Sequence, residues 1–301
     1  MAHKEKFNVY DHVTQTILAQ LEAGTVPWRK PWTGGGGGIP IPLRHEGTPY
    51  QGINVLLLWI RALDQNYISA HWMTYRQSQE LGGQVRKGEK STTVVKFGAV
   101  EKDSGDPDNP DVLRFARAYR VFNADQIDGL PDLYYIKPDP PRDMGTCVDA
   151  ALNGWFHSMG VPIDISEEPA AYYTPSTDRI HMPPAQTFLS VSEYFSTLSH
   201  EMAHAVGHKS RLNRVHEGNS RERYAKEEVA VELAAAMVCA RLGVHNSFEN
   251  TAAYLQSWID VLKTDSRAIF RTSGAAQAAA DWMFETAGAV PDQNTDLIAA
   301  E

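Results

Sequence analysis

Phe195-Ser-Thr-Leu-Ser-His-Glu-Met-Ala-His-Ala-Val-Gly-His208 reads as helix throughout, and inside it stands His200-Glu-Met-Ala-His204. Four residues make about one helical turn, so His200 and His204 project from one face and can grip a single metal ion. Glu201 is rotated roughly 100° from His200, which lets it reach a metal-bound water as a catalytic base without being a ligand itself. Two solvated histidines on a polar helix face are the plain alternative. They lose ground if a third donor follows at a suitable distance.

Catalytic zinc commonly takes two histidines and a glutamate and keeps one position for water. Tyr224-Ala-Lys-Glu-Glu-Val-Ala-Val-Glu-Leu-Ala-Ala-Ala-Met-Val-Cys-Ala-Arg-Leu-Gly243 is Ala-rich, lacks proline and stops at a glycine, as a helix does. It offers Glu227, Glu228 and Glu232. Glu228 and Glu232 share one face with Ala235 and Cys239, and a carboxylate pair on an apolar face needs a cation or a metal. Glu228 is therefore read as the ligand and Glu232 as the acceptor that orients a histidine, with Glu227 and Glu232 as alternative ligands. Zinc is the default ion, and manganese or another divalent ion can replace it.

The chain has 301 residues, enough for two cores at roughly 150 residues each. No apolar run is long enough to span a bilayer, and Met-Ala-His-Lys-Glu-Lys lacks a signal core, so a soluble, cytoplasmic protein with no membrane partner is expected. Cys147 and Cys239, without CxxC spacing, read as reduced core thiols. The net charge of −9 falls wholly on residues 141–301, while residues 1–140 are balanced. That balanced half holds a basic island of Arg76, Arg86, Lys87, Lys90 and Lys96 against Glu80 and Glu89.

The Pro-rich stretch Leu130-Pro-Asp-Leu-Tyr-Tyr-Ile-Lys-Pro-Asp-Pro-Pro-Arg142 cannot continue a helix and reads as a linker. The expected organisation is a small domain over 1–130, a linker over 131–143, a mainly helical domain over 144–287 and a disordered tail over 288–301. Helices are expected near 9–23, 54–65 and 74–81. Strands near 91–100 and 113–123 follow, joined by an acidic Gly/Pro loop, so the fold class is α+β. In the second half a helix near 148–159, a strand–turn–strand over 170–182, the histidine helix, the glutamate helix and helices near 251–263 and 266–286 are expected. Strands ahead of such a histidine helix match the zincin layout, in which an edge strand holds an extended peptide.

The first half has its own chemistry. Trp28-Arg29-Lys30-Pro31-Trp32 places two aromatics and two cations in five residues, followed by glycines at 34–38. Trp72, Arg76, Arg86, Lys87 and Lys90 extend the same mixture. Rings beside cations are what sequence-tolerant binding of single strands needs: bases stack at about 1–3 kcal/mol each while Lys and Arg track phosphates. Core tryptophans beside a solvated basic turn are the alternative.

Several segments resemble the ArdC-type antirestriction proteins. In the first half these are Val9-Tyr-Asp-His-Val-Thr14 with Leu21-Glu-Ala-Gly-Thr-Val-Pro-Trp-Arg-Lys-Pro-Trp32, Tyr50-Gln-Gly-Ile-Asn-Val-Leu-Leu-Leu-Trp59, Trp72-Met-Thr-Tyr-Arg-Gln77, Gly82-Gly-Gln-Val-Arg-Lys-Gly-Glu-Lys90 and Arg120-Val-Phe-Asn123. In the second half Asp178-Arg-Ile-His-Met-Pro183, the histidine segment, Glu227-Glu-Val-Ala-Val-Glu-Leu233 and Tyr254-Leu-Gln-Ser-Trp-Ile259 resemble the metallopeptidase-like domain of that family. The resemblance implies an N-terminal domain that binds single-stranded DNA, a zincin-like C-terminal domain and protection of incoming plasmid DNA from host restriction during conjugation. An unidentified protein substrate, part of the host restriction machinery, is the implied target of a peptidase. Tyr173 and His208 are candidates for contacting a developing oxyanion or the substrate.

Overall fold

The computed structural model describes residues 8–24, 40–102, 111–135, 148–214, 221–245 and 252–288. It divides into two compact units. The first draws its described residues from 8–24, 41–135 and 259–270, and the second from the rest.

In the first unit, α1 (Val9–Glu22) starts at Asn8, whose side chain accepts a hydrogen bond from the Tyr10 N–H, and buries Val13, Ile17, Leu18 and Leu21. These apolar positions recur at helical spacing, which is why one stripe faces inward. After β1 (Leu43–Arg44), α2 (Ile53–Gln65) is buried over most of its length and ends at Asn66 in the left-handed region. Then come β2 (His71–Met73), α3 (Tyr75–Glu80), β3 (Gln84–Val85), β4 (Thr92–Lys102), β5 (Asp111–Asn123) and β6 (Ile127–Asp128). Thr74 and Gln77 form a reciprocal capping box that sets the start of α3. The main sheet runs β1-β2-β5-β4, with β4 and β5 antiparallel in register from Thr92↔Val121 to Lys102↔Asp111. The Asn54 side chain bonds both the N–H and the C=O of Val95, at 2.7 Å each, and so occupies part of the outer edge of β4.

The second unit begins with α4 (Ala150–His157) and a three-stranded sheet of order β7-β9-β8, made of β7 (Ile163–Ile165), β8 (Tyr172–Thr174) and β9 (Arg179–Met182). β8 and β9 are the expected hairpin. β7 pairs parallel to β9 and was not foreseen, because Ile163-Asp-Ile165 is too short to show an alternating pattern. α5 (Val191–Val206) carries the histidine pair and packs against α6 (Arg221–Leu242), β8 and β9. α6 is buried at every position from Glu228 to Cys239, as an alanine-rich helix can be when neighbours approach closely on all sides. Cys239, in its last turn, is a buried free thiol 3.7 Å from the Ser199 hydroxyl. α7 (Ala252–Thr264) and α8 (Ala268–Ala287) follow, and the stretch 259–270 that they share belongs to the first unit. The architecture is two-domain α+β, as expected, and no helix of the described residues is long and apolar enough to cross a membrane. Cys147, the glycines at 34–38, most of the linker and the tail beyond 288 lie outside the described residues.

Candidate metal centre

α5 is anchored at its start by Ser190, whose hydroxyl accepts from the Glu193 N–H at 3.1 Å while Glu193 accepts from the Leu189 N–H at 2.7 Å. Its apolar face, with Phe195, Leu198 and Met202 fully buried, fixes the rotation of the helix. That rotation turns both histidines toward α6. The rings of His200 and His204 lie 4.9 Å apart. Nε2 of His200 is 3.6 Å from Glu228 Oε2, and Nε2 of His204 is 3.4 Å from Glu228 Oε1. One donor atom from each of the three lies within 4.8 Å of the others, and among the described residues no other such trio of metal donors occurs.

These separations fit a single ion. Four ligands at about 2.1 Å in a tetrahedron are about 3.4 Å from one another, close to the distances found. Two imidazoles and one carboxylate are also the donor chemistry that divalent transition ions take.

The three glutamates separate by environment. Glu228 is 7% exposed and faces both histidines. Burial works to raise its pKa, yet the hydrogen bond and charge of His204, the charge of His200 and the Tyr224 hydroxyl outweigh this and hold it below the usual carboxylate range. His204 is the counterpart: burial works to lower it, and the Glu228 bond with the charges of Glu228, Glu201 and Glu227 holds it above the usual imidazole range. Glu227 is engaged by Arg214, which donates from Nε and Nη2 at 2.9–3.1 Å and also from Nη2 to the Ala203 carbonyl at 2.7 Å. Glu232 is buried one turn further along α6.

Glu201 is 7% exposed beside this trio. Burial, reinforced by the Glu228 charge, pushes its pKa up to about 6 against the opposing charge of His204 and a hydrogen bond from the Tyr173 backbone N–H. The Tyr173 hydroxyl donates to Asp178 Oδ1 at 2.7 Å, and its pKa is raised by burial and by that bond. His208 lies 3.5 Å from Asp178 Oδ2 and 2.8 Å from the Ser210 hydroxyl. Arg211 completes the group: both terminal nitrogens bond Asp178, and its Nε donates to the Ala205 carbonyl at 2.7 Å. Tyr173 and His208 thus share one carboxylate partner, and Tyr173 meets Glu201 through its backbone.

Asp178, Arg211, Arg214 and Tyr224 were missed by sequence reasoning. Asp178 has φ 53 at the turn between β8 and β9, a left-handed conformation that Asp tolerates better than most residues. An Asp in a short Ser-Thr-Asp turn was the available signal.

Of the residues expected to meet DNA, Trp28, Arg29, Lys30 and Trp32 lie outside the described residues. Trp72 is corrected to a core residue: it is 1% exposed and edge-on to Tyr67, leaving no ring face for a base. Arg76 pairs with Glu80 at 2.8 Å, and Arg86 with Glu89 and Asp128 at 3.0 and 3.2 Å. Lys87 and Lys90 are exposed.

Residues 7–122 match the N-terminal domain of anti-restriction factor ArdC, and residues 150–277 match the zincin-like metallopeptidase family. The chain is 38% identical over 286 residues to the protein y4eC, named as uncharacterized, of Sinorhizobium fredii, covering 92% of this chain and 91% of that one. It is 36% identical over 294 residues to a DNA primase TraC of Escherichia coli, of which it spans 27%. The crystal structure of antirestriction ArdC from plasmid R388 superposes with TM-score 0.83 in its metal-free form, at 48% identity, over 93% of this chain and 98% of that one. The Mn(II)-bound form superposes at 0.82 with the same identity, over 95% and 100%. A zincin-like domain implies a divalent metal. The chain belongs to the ArdC antirestriction family, with an N-terminal ArdC domain followed by a zincin-like domain.

Proposed function

We propose that this protein shields incoming conjugative plasmid DNA from host restriction in the cytoplasm, binding single-stranded DNA through residues 1–130 and acting on a protein of the restriction machinery through residues 144–287, with 131–143 as the linker. The observation that supports a peptidase is the convergence of His200, His204 and Glu228 within 4.8 Å beside the buried acid Glu201. The three would hold one divalent ion, zinc from the donor set, with manganese as the replacement. When bound, that ion supplies Lewis-acid polarisation of a carbonyl and a lowered pKa for a coordinated water.

The chain's own groups do the rest. Glu201, buried beside the three, takes a proton from the attacking water on a carboxylate oxygen and delivers it to the leaving amine. The Tyr173 N–H orients that carboxylate, and the buried Glu232 is the carboxylate assigned to orient a histidine. β8 lies at the edge of its sheet, so its backbone can pair with an extended substrate. In the second reading the site is structural and shielding is passive. The Glu228 contacts to both histidines favour it, since they tie α5 to α6 without an ion.

The test compares wild type, His204→Ala and Glu201→Ala in calorimetric titrations with zinc and manganese, in cleavage of restriction-enzyme subunits, and in conjugation into a restricting host. Metal binding lost only in His204→Ala, with cleavage lost in both variants, supports the peptidase. Full protection by Glu201→Ala with no cleavage by wild type leaves the passive reading. Metal binding unchanged in His204→Ala rejects the site itself.

A further inference from the structure

We infer that one face of the β4–β5 hairpin, built from Phe115, Arg117, Lys96 and Tyr119, is a stacking track for single-stranded nucleic acid. This rests on the single-strand reading above and gives it residues that, as sequence, look only like strand formers and a stray lysine.

Register places the four together. Lys96 stands directly opposite Arg117, Val94 opposite Tyr119 and Gly98 opposite Phe115. Residues directly opposite in an antiparallel pair point to the same face, as do alternate residues along a strand. Phe115, Arg117 and Tyr119 therefore follow one another on that face at steps of about 6.8 Å, ring, cation, ring. Lys96 and Arg117 are exposed, and Tyr119 is 39% exposed.

Two features set this face apart from an ordinary solvated strand. The first is the ring platform. A Cβ on Gly98 would lie 2.3 Å from Phe115 Cζ, so the absent side chain is what lets the ring lie across the neighbouring strand. The Arg117 guanidinium sits over that ring, 4.9 Å from its centroid, so Phe115 holds the cation in place and the faces offered to bases are those of Arg117 and Tyr119. The second is charge. Like charges directly opposite destabilise a strand pair, and among the described residues no carboxylate pairs with Lys96 or Arg117. Arg76 and Arg86, by contrast, are already engaged by Glu80, Glu89 and Asp128. Two facing cations with no carboxylate partner among the described residues, beside aromatic rings, are complementary to a phosphate chain carrying unstacked bases. Duplex bases are stacked on each other and cannot use the rings.

The test uses the full chain with a labelled oligothymidylate and a duplex of equal length, in fluorescence anisotropy from 50 to 200 mM salt. The variants are Lys96→Gln with Arg117→Gln, Tyr119→Ala, and Arg117→Lys as the charge-conserving control. Each must melt as wild type, and all three positions are at the surface. Two lost phosphate contacts flatten the logarithmic salt slope by about 1.4, so wild type loses about sevenfold more affinity than the double variant across this range. Tyr119→Ala weakens binding about tenfold with its slope unchanged, and Arg117→Lys keeps the wild-type slope. Wild-type affinity and slope in both the double variant and Tyr119→Ala overturn the track while leaving the single-strand reading intact. Duplex preferred over oligothymidylate, or no oligothymidylate binding by wild type, overturns both.

Discussion

Glu201→Gln is expected to stabilise the metal-free protein, and only above mildly acidic pH. The carboxyl is 7% exposed, and burial lifts its pKa from the ordinary 4.5 to about 6. Below 4.5 the group is neutral both folded and unfolded, and its burial costs no ionisation. Between 4.5 and 6 the unfolded chain ionises first, so stability falls as pH rises; above 6 the full penalty is present. At about 1.4 kcal/mol per pH unit, the rise corresponds to about 2 kcal/mol. Glutamine keeps the volume, can still accept the Tyr173 N–H, and carries no charge to bury. For a domain of roughly 150–250 residues, 2 kcal/mol shifts Tm by about 4–8 °C. The assay is a thermal melt of both proteins under chelator at pH 4 and pH 8. The expected result is a gain for the variant at pH 8 and none at pH 4. Equal melting at pH 8, or the same gain at both, would refute the argument that Glu201 is held at a cost for its chemistry.

Arg214→Ala leaves the Glu227 carboxylate largely buried without its cation, where the two side chains are 13% and 18% exposed. A loss of about 3 kcal/mol in chemical denaturation is expected, and Glu227→Gln in the same chain should recover part of it; a strictly additive double variant would contradict the pairing. Gly98→Ala places a Cβ 2.3 Å from the Phe115 ring, which must swing away. Stability should fall by about 1 kcal/mol and oligothymidylate binding should weaken; unchanged binding would show that the Phe115 pose is irrelevant.

Much of the site was legible because it is local. Helix pitch alone puts His200 and His204 on one face and Glu201 beside them, and Ser190 and Gly207 bound that helix. The choice among the glutamates was less legible. Periodicity separates an inward face from an outward one, but α6 is buried on every side from Glu228 to Cys239, so spacing carries little about which carboxylate meets the histidines. Glu227 is engaged by Arg214, a residue thirteen positions away with no motif of its own. Aromatics were misjudged for the same reason: Trp72 and Tyr119 have equal claim to stack bases as letters, yet one is sealed in the core and the other exposed.

The sequence by itself determined whatever depends on bonds a few residues long: the helices and their caps, the β4–β5 hairpin, the facing pair of histidines and the position of the acid next to them. Tertiary structure alone decided which distant groups meet: Glu228 at the histidines, Asp178 gathering Tyr173, His208 and Arg211, and β7 alongside β9. The division is physical. Backbone geometry and capping act within one turn of chain, whereas the approach of α5 to α6 and to the β8–β9 hairpin is set by the packing of side chains far apart in sequence.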